Sequence, residues 1–311
     1  MPNLHDRFCR RHGNAEAELL DFHLSMLVDD ERMGAYRRAI SAAVRPGDVV
    51  LDIGAGTGVL SFLACSAGAA RVYAVEGGPV VEIAGELSKH NGFDDRVVFI
   101  NEWSTNVELP EPADVLITET IGNAAFDEGI IAWTVDARRR LLRPGGLVVP
   151  RRIRMWTAAI ESWDDHAQVS DWSAPSLPFD YSLVRRRAQQ TLWFADLRAS
   201  QLLTQRALVA DVDLRVVTHQ VVTAAGTFRA RRDGTLHGLA CWFDAELAEG
   251  LTLDNTPPTS APSWAQRFLP VARPLAVSAG ELLVWEIAVW ADGEDWTWRI
   301  GPPESDRLIS G

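Results

Sequence analysis

The residues best placed to do chemistry begin at Asp52. Asp52-Ile53-Gly54-Ala55-Gly56-Thr57-Gly58 ends one apolar run and leads into a helical pattern. Glycines here allow a tight turn and close approach of a ligand to the backbone. The spacing is G-x-G-x-G, not the G-x-G-x-x-G of a pyrophosphate-binding turn, so a nucleotide without a pyrophosphate fits better. Glu76 ends the next apolar run, 20 residues beyond Gly56. An acid there can accept hydrogen bonds from ribose hydroxyls. A second constellation is the acid pair Glu119 and Glu128, nine residues apart. Glu119 sits at a strand end and Glu128 at a helix start. A short hairpin between them could turn both carboxylates toward one pocket. Spacing alone also fits two solvated acids at element ends, with Glu128 favouring a helix N-terminus.

These groups need a frame. Apolar runs at 49–53, 71–76, 97–100, 114–118 and 147–149 alternate with helical patterns at 59–65, 80–90 and 127–142. That alternation predicts an α/β fold with a parallel, doubly wound sheet over residues 46–150, whose strand ends bind ligands. Beyond Pro150 the pattern changes. Short β-rich stretches at 153–160, 207–217, 220–228, 239–243 and 282–290 predict a second, β-rich domain, a barrel or sandwich. Residues 14–45 carry helical spacing through Leu19, Leu20, Phe22, His23, Met26 and Leu27, which predicts an amphipathic helix on the sheet.

Composition narrows the function classes. A chain of 311 residues that is 47% hydrophobic can build one large or two ordinary domains around a sizeable core. A formal net charge of −12 argues against a general nucleic-acid binder but suits a basic substrate. Cys9, Cys65 and Cys241 are too few and too scattered for a disulfide framework or a zinc site, so no metal is expected. No apolar run reaches the ~18 residues of a membrane span. The first residues lack the apolar core of a signal peptide. The expectation is a cytoplasmic protein without membrane contact.

At this level of detail the sequence resembles the class I S-adenosylmethionine-dependent methyltransferases and, more narrowly, the protein arginine methyltransferases. The resemblance covers residues 20–300, approximately. His23-Leu24-Ser25-Met26-Leu27-Val28-Asp29-Asp30-Glu31-Arg32, with Tyr36 after it, is similar to that family's H-x-x-M-L-x-D-x-x-R-x-x-x-Y segment. Residues 50–60 resemble its cofactor motif, and residues 119–129 its double-glutamate hairpin. Leu141-Leu142-Arg143-Pro144-Gly145-Gly146 with Val149-Pro150 resembles its exit into a β-barrel. His237-Gly238-Leu239-Ala240-Cys241-Trp242-Phe243 and Ala279-Gly280-Glu281 follow in the expected order.

The resemblance implies a Rossmann-like methyltransferase domain followed by a β-barrel with a helical dimerisation arm. Residues 1–45 would cap the cofactor site, 46–150 would bind S-adenosyl-L-methionine, and 151–311 would form the substrate barrel. The arm would span about 161–205, with Trp163, Trp172, Phe179, Tyr181, Trp193 and Phe194 as anchors of a homodimer. Arg32 would bind the cofactor carboxylate. Asp52, Gly54 and Gly56 would bind the cofactor at the turn, Glu76 would hold its ribose, and Ser104 and Thr105 would contact its adenine. His23, Met26, Ser263 and Trp264 would line the substrate pocket. Glu119 and Glu128 would be catalytic, because a guanidinium is planar and its donors match carboxylates bidentately. Its pKa exceeds ~12, so orientation and electrostatics would do more than deprotonation.

Two departures concern the pocket rim. The family's Thr-His-Trp loop reads Pro262-Ser263-Trp264 here, and no tyrosine precedes Tyr36. They leave open an acceptor arginine that is a free amino acid, part of a small peptide or part of a protein. Two further readings stay open. One is a small-molecule methyltransferase acting on a different nucleophile. The other is a non-catalytic, cofactor-binding partner of a related enzyme.

Overall fold

The computed structural model describes residues 15–173, 179–218, 221–258, 263–303 and 309–310. Residues 1–14, with Cys9, and Pro262 lie outside them. The helical spacing near the N-terminus becomes two helices, α1 (Ala15–Leu27) and α2 (Asp30–Ala43). Asp29 separates them. Its carboxylate caps α2 by accepting from the Arg32 amide at 3.0 Å, which satisfies a free donor of the first turn. α2 buries Arg32, Ala35, Tyr36, Ala39 and Ile40, spaced three and four apart on one face.

Five parallel strands follow: β1 (Val49–Ile53), β2 (Arg71–Val75), β3 (Val97–Ile100), β4 (Ala113–Thr118) and β5 (Leu142–Val149). Their order is β3-β2-β1-β4-β5. Between them run α3 (Val59–Ala67), α4 (Val80–His90) and α5 (Ile130–Arg140). The order reverses between β1 and β4, and a crevice opens at the ends of those two strands. Two boundaries differ most from expectation. α5 starts at Ile130, because Gly129 takes a left-handed φ of 76° and its backbone cannot continue a helix backwards. β5 begins at Leu142, which pairs with Ala113. The pairing then jumps to Val115–Leu147, so Pro144-Gly145-Gly146 bulges out of the strand.

The rest of the chain is antiparallel. One sheet has the order β7-β12-β10-β6-β8, with β11 beside β10. Its strands are β6 (Arg152–Ile160), β7 (Trp193–Ala195), β8 (Ala207–Asp213), β10 (Gly234–Ala248), β11 (Leu251–Asp254) and β12 (Gln266–Val277). The second, β15-β14-β13-β9, comprises β9 (Val221–Arg229), β13 (Leu282–Trp290), β14 (Trp296–Gly301) and β15 (Ile309–Ser310). The sequence pattern captured the middle of β10 but missed β12 and β14. β12 carries Pro270 and Pro274, which hide a strand from local reading because proline cannot donate to a ladder.

A helical excursion leaves β6 through α6 (Trp163–Ser170) and α7 (Ser182–Gln189). Trp163 and Phe179 are well over half exposed, and Trp172 is exposed too. Trp193 instead packs against the small core under this excursion. One continuous core joins the parallel sheet, α2 and both antiparallel sheets. Cys65 and Cys241 are buried within it as free thiols. Among the described residues no helix is long and apolar enough to cross a membrane.

Candidate active site

The crevice at the ends of β1 and β4 is a cavity of about 860 Å³. Its floor is the glycine turn. Gly54 and Gly56 have φ of 71° and 54°, a region that side chains disfavour. A Cβ on Gly54 would lie 2.8 Å from the Thr120 methyl, and one on Gly56 would lie 3.2 Å from the His23 ring. The turn is pinned by its neighbour strand, since the amides of Gly54 and Ala55 donate to the Val75 carbonyl at 2.9 and 3.1 Å. Glu76 closes the same side. Its carboxylate accepts from the Gly56 amide at 2.9 Å and the Gly78 amide at 2.6 Å.

Above the turn, His23 and Met26 of α1 line the cavity, as do Arg32, Gly54, Gly56, Glu76, Ser104, Glu119, Glu128, Ser263 and Trp264. Burial lowers the His23 pKa; the Glu76 carboxylate opposes that and Arg32 adds to it. Two expected residues sit elsewhere. Asp52 is fully buried behind the turn, where it accepts from the Ser61 hydroxyl at 2.7 Å, and it is not among the lining residues. An apolar strand leaves its side chain on the inner face, so it supports the turn without reaching the cavity. Thr105 is likewise absent from the lining. It points to solvent from the 3₁₀ turn Ser104–Asn106, whose first residue alone faces inward.

The acid pair is brought together by a true hairpin. Gly122 and Ala125 form an antiparallel bridge between Glu119 and Glu128. Ala125 has a positive φ of 72°, and the Asp127 carboxylate ties the loop by accepting from the Ala124 amide at 2.8 Å. The antiparallel sheets then grip this hairpin. Asn255 is completely buried and spends its whole amide: it accepts from the Phe243 amide and donates to the carbonyls of Asn123 and Ala265. The Ala265 amide donates back to the Asn123 side chain at 2.9 Å, and the Trp264 indole donates to the Ile121 carbonyl at 3.2 Å. Arg267 donates to Asp127 at 2.6 Å and lies over the Phe194 ring. At the far end, Gly293 in the β13–β14 turn packs so closely that a Cβ would lie 2.4 Å from the Phe126 carbonyl.

Glu119 and Glu128 differ in their surroundings. Glu119 is nine-tenths buried and ion-paired to Arg32, and its other oxygen, Oε1, has no partner. Glu128 faces the open cavity, so water reaches it. It still lies deep in the protein, and burial together with Asp127 pushes its pKa up to about 7 against the pull of Arg32 and Arg267. Arg32 thus lies within electrostatic reach of both acids. Its guanidinium also covers the Trp264 ring at 4.2 Å and donates to the Ser263 hydroxyl at 3.2 Å. The arrangement can hold a planar cation between two carboxylates at the mouth of a nucleotide-shaped crevice.

Sequence reasoning missed several of the residues that shape this site. Asp29 could have been found, because an Asp before a helical run is an N-cap signal. Trp103 and Trp133 line the cavity with ring centroids 6.0 Å apart, and each lies within five residues of a predicted site residue. The roles of Asn255 and Arg267 on the hairpin carried no local signal, since the bonds that tie them to it span 132 residues for Asn255 to Asn123 and 140 for Arg267 to Asp127.

Two family models match the chain. Residues 151–295 match the arginine methyltransferase oligomerization subdomain, and residues 37–149 match a model described as ribosomal protein L11 methyltransferase (PrmA). An arginine N(omega)-methyltransferase of Streptomyces achromogenes subsp. streptozoticus is 30% identical over 87% of this chain and 76% of its own length. The probable protein arginine N-methyltransferase 6 of Arabidopsis thaliana is 31% identical over 80% of this chain and 60% of its own. A chain of the Trypanosoma brucei PRMT1 enzyme-prozyme heterotetrameric complex with AdoHcy superposes with a TM-score of 0.79 at 26% identity, covering 93% of this chain and 96% of that one. With these matches spanning both the parallel sheet and the antiparallel sheets, the chain belongs to the protein arginine methyltransferase family.

Proposed function

We propose that this protein is an S-adenosylmethionine-dependent N-methyltransferase that methylates a guanidinium nitrogen of arginine. The observation that carries the reading is the meeting of Glu119 and Glu128 in one cavity with a guanidinium, that of Arg32, already paired to one of them. The cradle fits the cofactor. Its floor is bare glycine backbone, Glu76 is at ribose distance in sequence, and Arg32 keeps a buried Nε with no partner. Arg32 would hold the cofactor carboxylate, Glu76 the ribose hydroxyls, and Ser104 the adenine side, over the turn of Gly54 and Gly56. Asp52 would contribute by holding the turn from behind.

When bound, S-adenosylmethionine supplies an electrophilic methyl group on a sulfonium. The chain's own work is orientation and charge. Glu119 and Glu128 would hold the acceptor guanidinium flat and draw its positive charge toward the nitrogens they touch, leaving electron density on the nitrogen that faces the methyl. As a new C–N bond would form and the methyl–sulfur bond would break, leaving the thioether S-adenosylhomocysteine, one proton would leave that nitrogen. A Glu128 carboxylate with a pKa near 7 is matched to receive it.

The chain divides on this reading at about residue 150 into a cofactor domain and a substrate barrel, with residues 15–45 capping the cavity. The acceptor is arginine as the free amino acid, in a peptide or in a protein. The exposed Trp163, Trp172 and Phe179, on the segment matched by an oligomerization subdomain, support a homodimer. Buried free thiols support a cytoplasmic location. Mass spectrometry tests the central step. Protein with S-adenosylmethionine is offered L-arginine and, separately, an arginine-rich peptide. Gain of one methyl on either, abolished in Glu119→Gln and Glu128→Gln, is expected. No product on either, with cofactor still bound, would refute arginine transfer.

A further inference from the structure

The guanidinium of Arg32 and that of an acceptor have the same claim on Glu119. Arg32 is 4% exposed and ion-pairs Glu119 through one terminal nitrogen. Its other terminal nitrogen donates to the Ser263 hydroxyl at 3.2 Å, and that hydroxyl in turn donates to Asp29 at 2.5 Å. Asp29 is fully buried and also accepts from the Arg32 backbone amide. The Trp264 ring covers the flat face of the guanidinium. Arg32 is therefore clamped from three sides with its charge directed at Glu119. A serine suits this clamp because its hydroxyl donates to Asp29 and accepts from Arg32 at once. A protonated histidine in its place would offer Arg32 no acceptor.

From this geometry we infer that Asp29 and Ser263 are positioning residues that seat Arg32 on Glu119. Arg32 then acts as a plug that the cofactor's carboxylate draws off before an acceptor guanidinium can use that acid. The inference rests on the arginine-transfer reading of the preceding subsection. The physical basis is a shared group. A carboxylate offered to Arg32 weakens its hold on Glu119, and a free Glu119 strengthens the hold on an acceptor. Cofactor and acceptor then bind with positive, reciprocal coupling. The coupling requires the carboxylate, and the nucleoside part alone would not supply it.

Calorimetry reads this without turnover. An arginine-containing peptide would be titrated into wild-type protein alone, with saturating S-adenosylhomocysteine, and with saturating 5′-methylthioadenosine, which keeps the nucleoside and sulfur but lacks the amino-acid carboxylate. The expected result is peptide affinity about tenfold tighter with S-adenosylhomocysteine and unchanged with methylthioadenosine, in the usual range of coupling between sites. Ser263→Ala loosens the clamp without removing a charge. It should tighten peptide binding in the absence of any nucleoside and shrink the coupling. Equal peptide affinity in all three wild-type titrations would overturn the plug while leaving arginine transfer standing. Peptide and L-arginine that bind in none of them, with S-adenosylhomocysteine bound normally, would overturn the arginine reading and the plug with it.

Discussion

The cofactor turn and the acid hairpin lie at the ends of adjacent strands, β1 and β4, and open into one cavity, yet they are built by different means. The turn is local and made of backbone. Its amides bond to Val75 and Glu76, about 20 residues away, and its shape depends on bare glycine. The hairpin is held from a distance and by side chains. Asn255, Arg267 and Trp264 reach it from the antiparallel sheets, 132 to 143 residues downstream. The nucleotide cradle is thus a property of the parallel sheet, whereas the geometry of the acids is a property of the junction between the two halves.

That difference can be broken at either end, and the acids give the largest effect. Glu128→Gln keeps the shape and removes the charge that faces the acceptor. Turnover should fall by roughly 10²- to 10³-fold, the usual loss when one preorganised electrostatic contact to a transition state is removed. Affinity for S-adenosylhomocysteine should be nearly unchanged, because Glu128 lies on the acceptor side. A parallel loss of cofactor affinity in calorimetry would erase the proposed division of labour.

Arg267→Met attacks the hairpin without touching the cavity. It leaves the Asp127 carboxylate, whose side chain is 3% exposed, without its cation. Breaking a buried pair this way costs about 3 kcal/mol, so the melting temperature should drop. The sharper readout is selective: kcat/KM for the acceptor should fall by about tenfold, equivalent to 1.4 kcal/mol, while cofactor affinity holds. Gly54→Ala is the mirror experiment. Its φ of 71° and the Thr120 methyl at 2.8 Å from the new Cβ force the turn to shift. Cofactor affinity should weaken by about tenfold, with turnover at saturating cofactor largely kept, since strain of this kind costs roughly 1–3 kcal/mol.

The same contrast explains what the sequence made legible. The turn, Glu76 and the five-strand frame announce themselves, because residues that act together there are close in the chain and obey fixed periods. Glu119 and Glu128 are visible as a spaced pair, but nothing local says that Asn255 and Arg267 hold the loop between them. β12, which carries Arg267 at its start and follows directly on Ser263 and Trp264, is masked by Pro270 and Pro274. The direction of a side chain is also hidden from a motif. Asp52 and Thr105 fall inside the right stretches and point away from the cavity.

A pH profile sharpens the comparison from the acid side alone. Burial raises the Glu128 pKa from the ordinary carboxylate value to about 7. Below that pH it is protonated and neutral, and it offers an arginine guanidinium no charge. The acceptor kcat/KM should therefore fall as pH drops through about 7, approaching tenfold per pH unit, and level off above it. Binding of S-adenosylhomocysteine, measured across the same range, should not follow that curve. If both follow it, the titrating group belongs to the cradle.

The smallest expected effect tests the cradle from behind. Asp52→Asn keeps the size of the side chain and a partner for the Ser61 hydroxyl, and Asp52 does not reach the cavity. Cofactor affinity should therefore stay within about threefold, less than 1 kcal/mol. Stability should respond instead. Burial raises the Asp52 pKa to about 7, with the Ser61 hydrogen bond pulling the other way. The folded protein then holds a proton that the unfolded chain releases near pH 4. Wild-type stability accordingly declines as pH rises from about 4 to about 7, and the decline stops above the folded pKa. Asparagine has no such proton, so the variant should gain on wild type across that window and keep a constant lead at higher pH. Denaturant melts at pH 5 and pH 8 read the difference. A tenfold loss of cofactor affinity with no pH-dependent gain would instead give Asp52 the direct cofactor contact that its place in the glycine motif suggests.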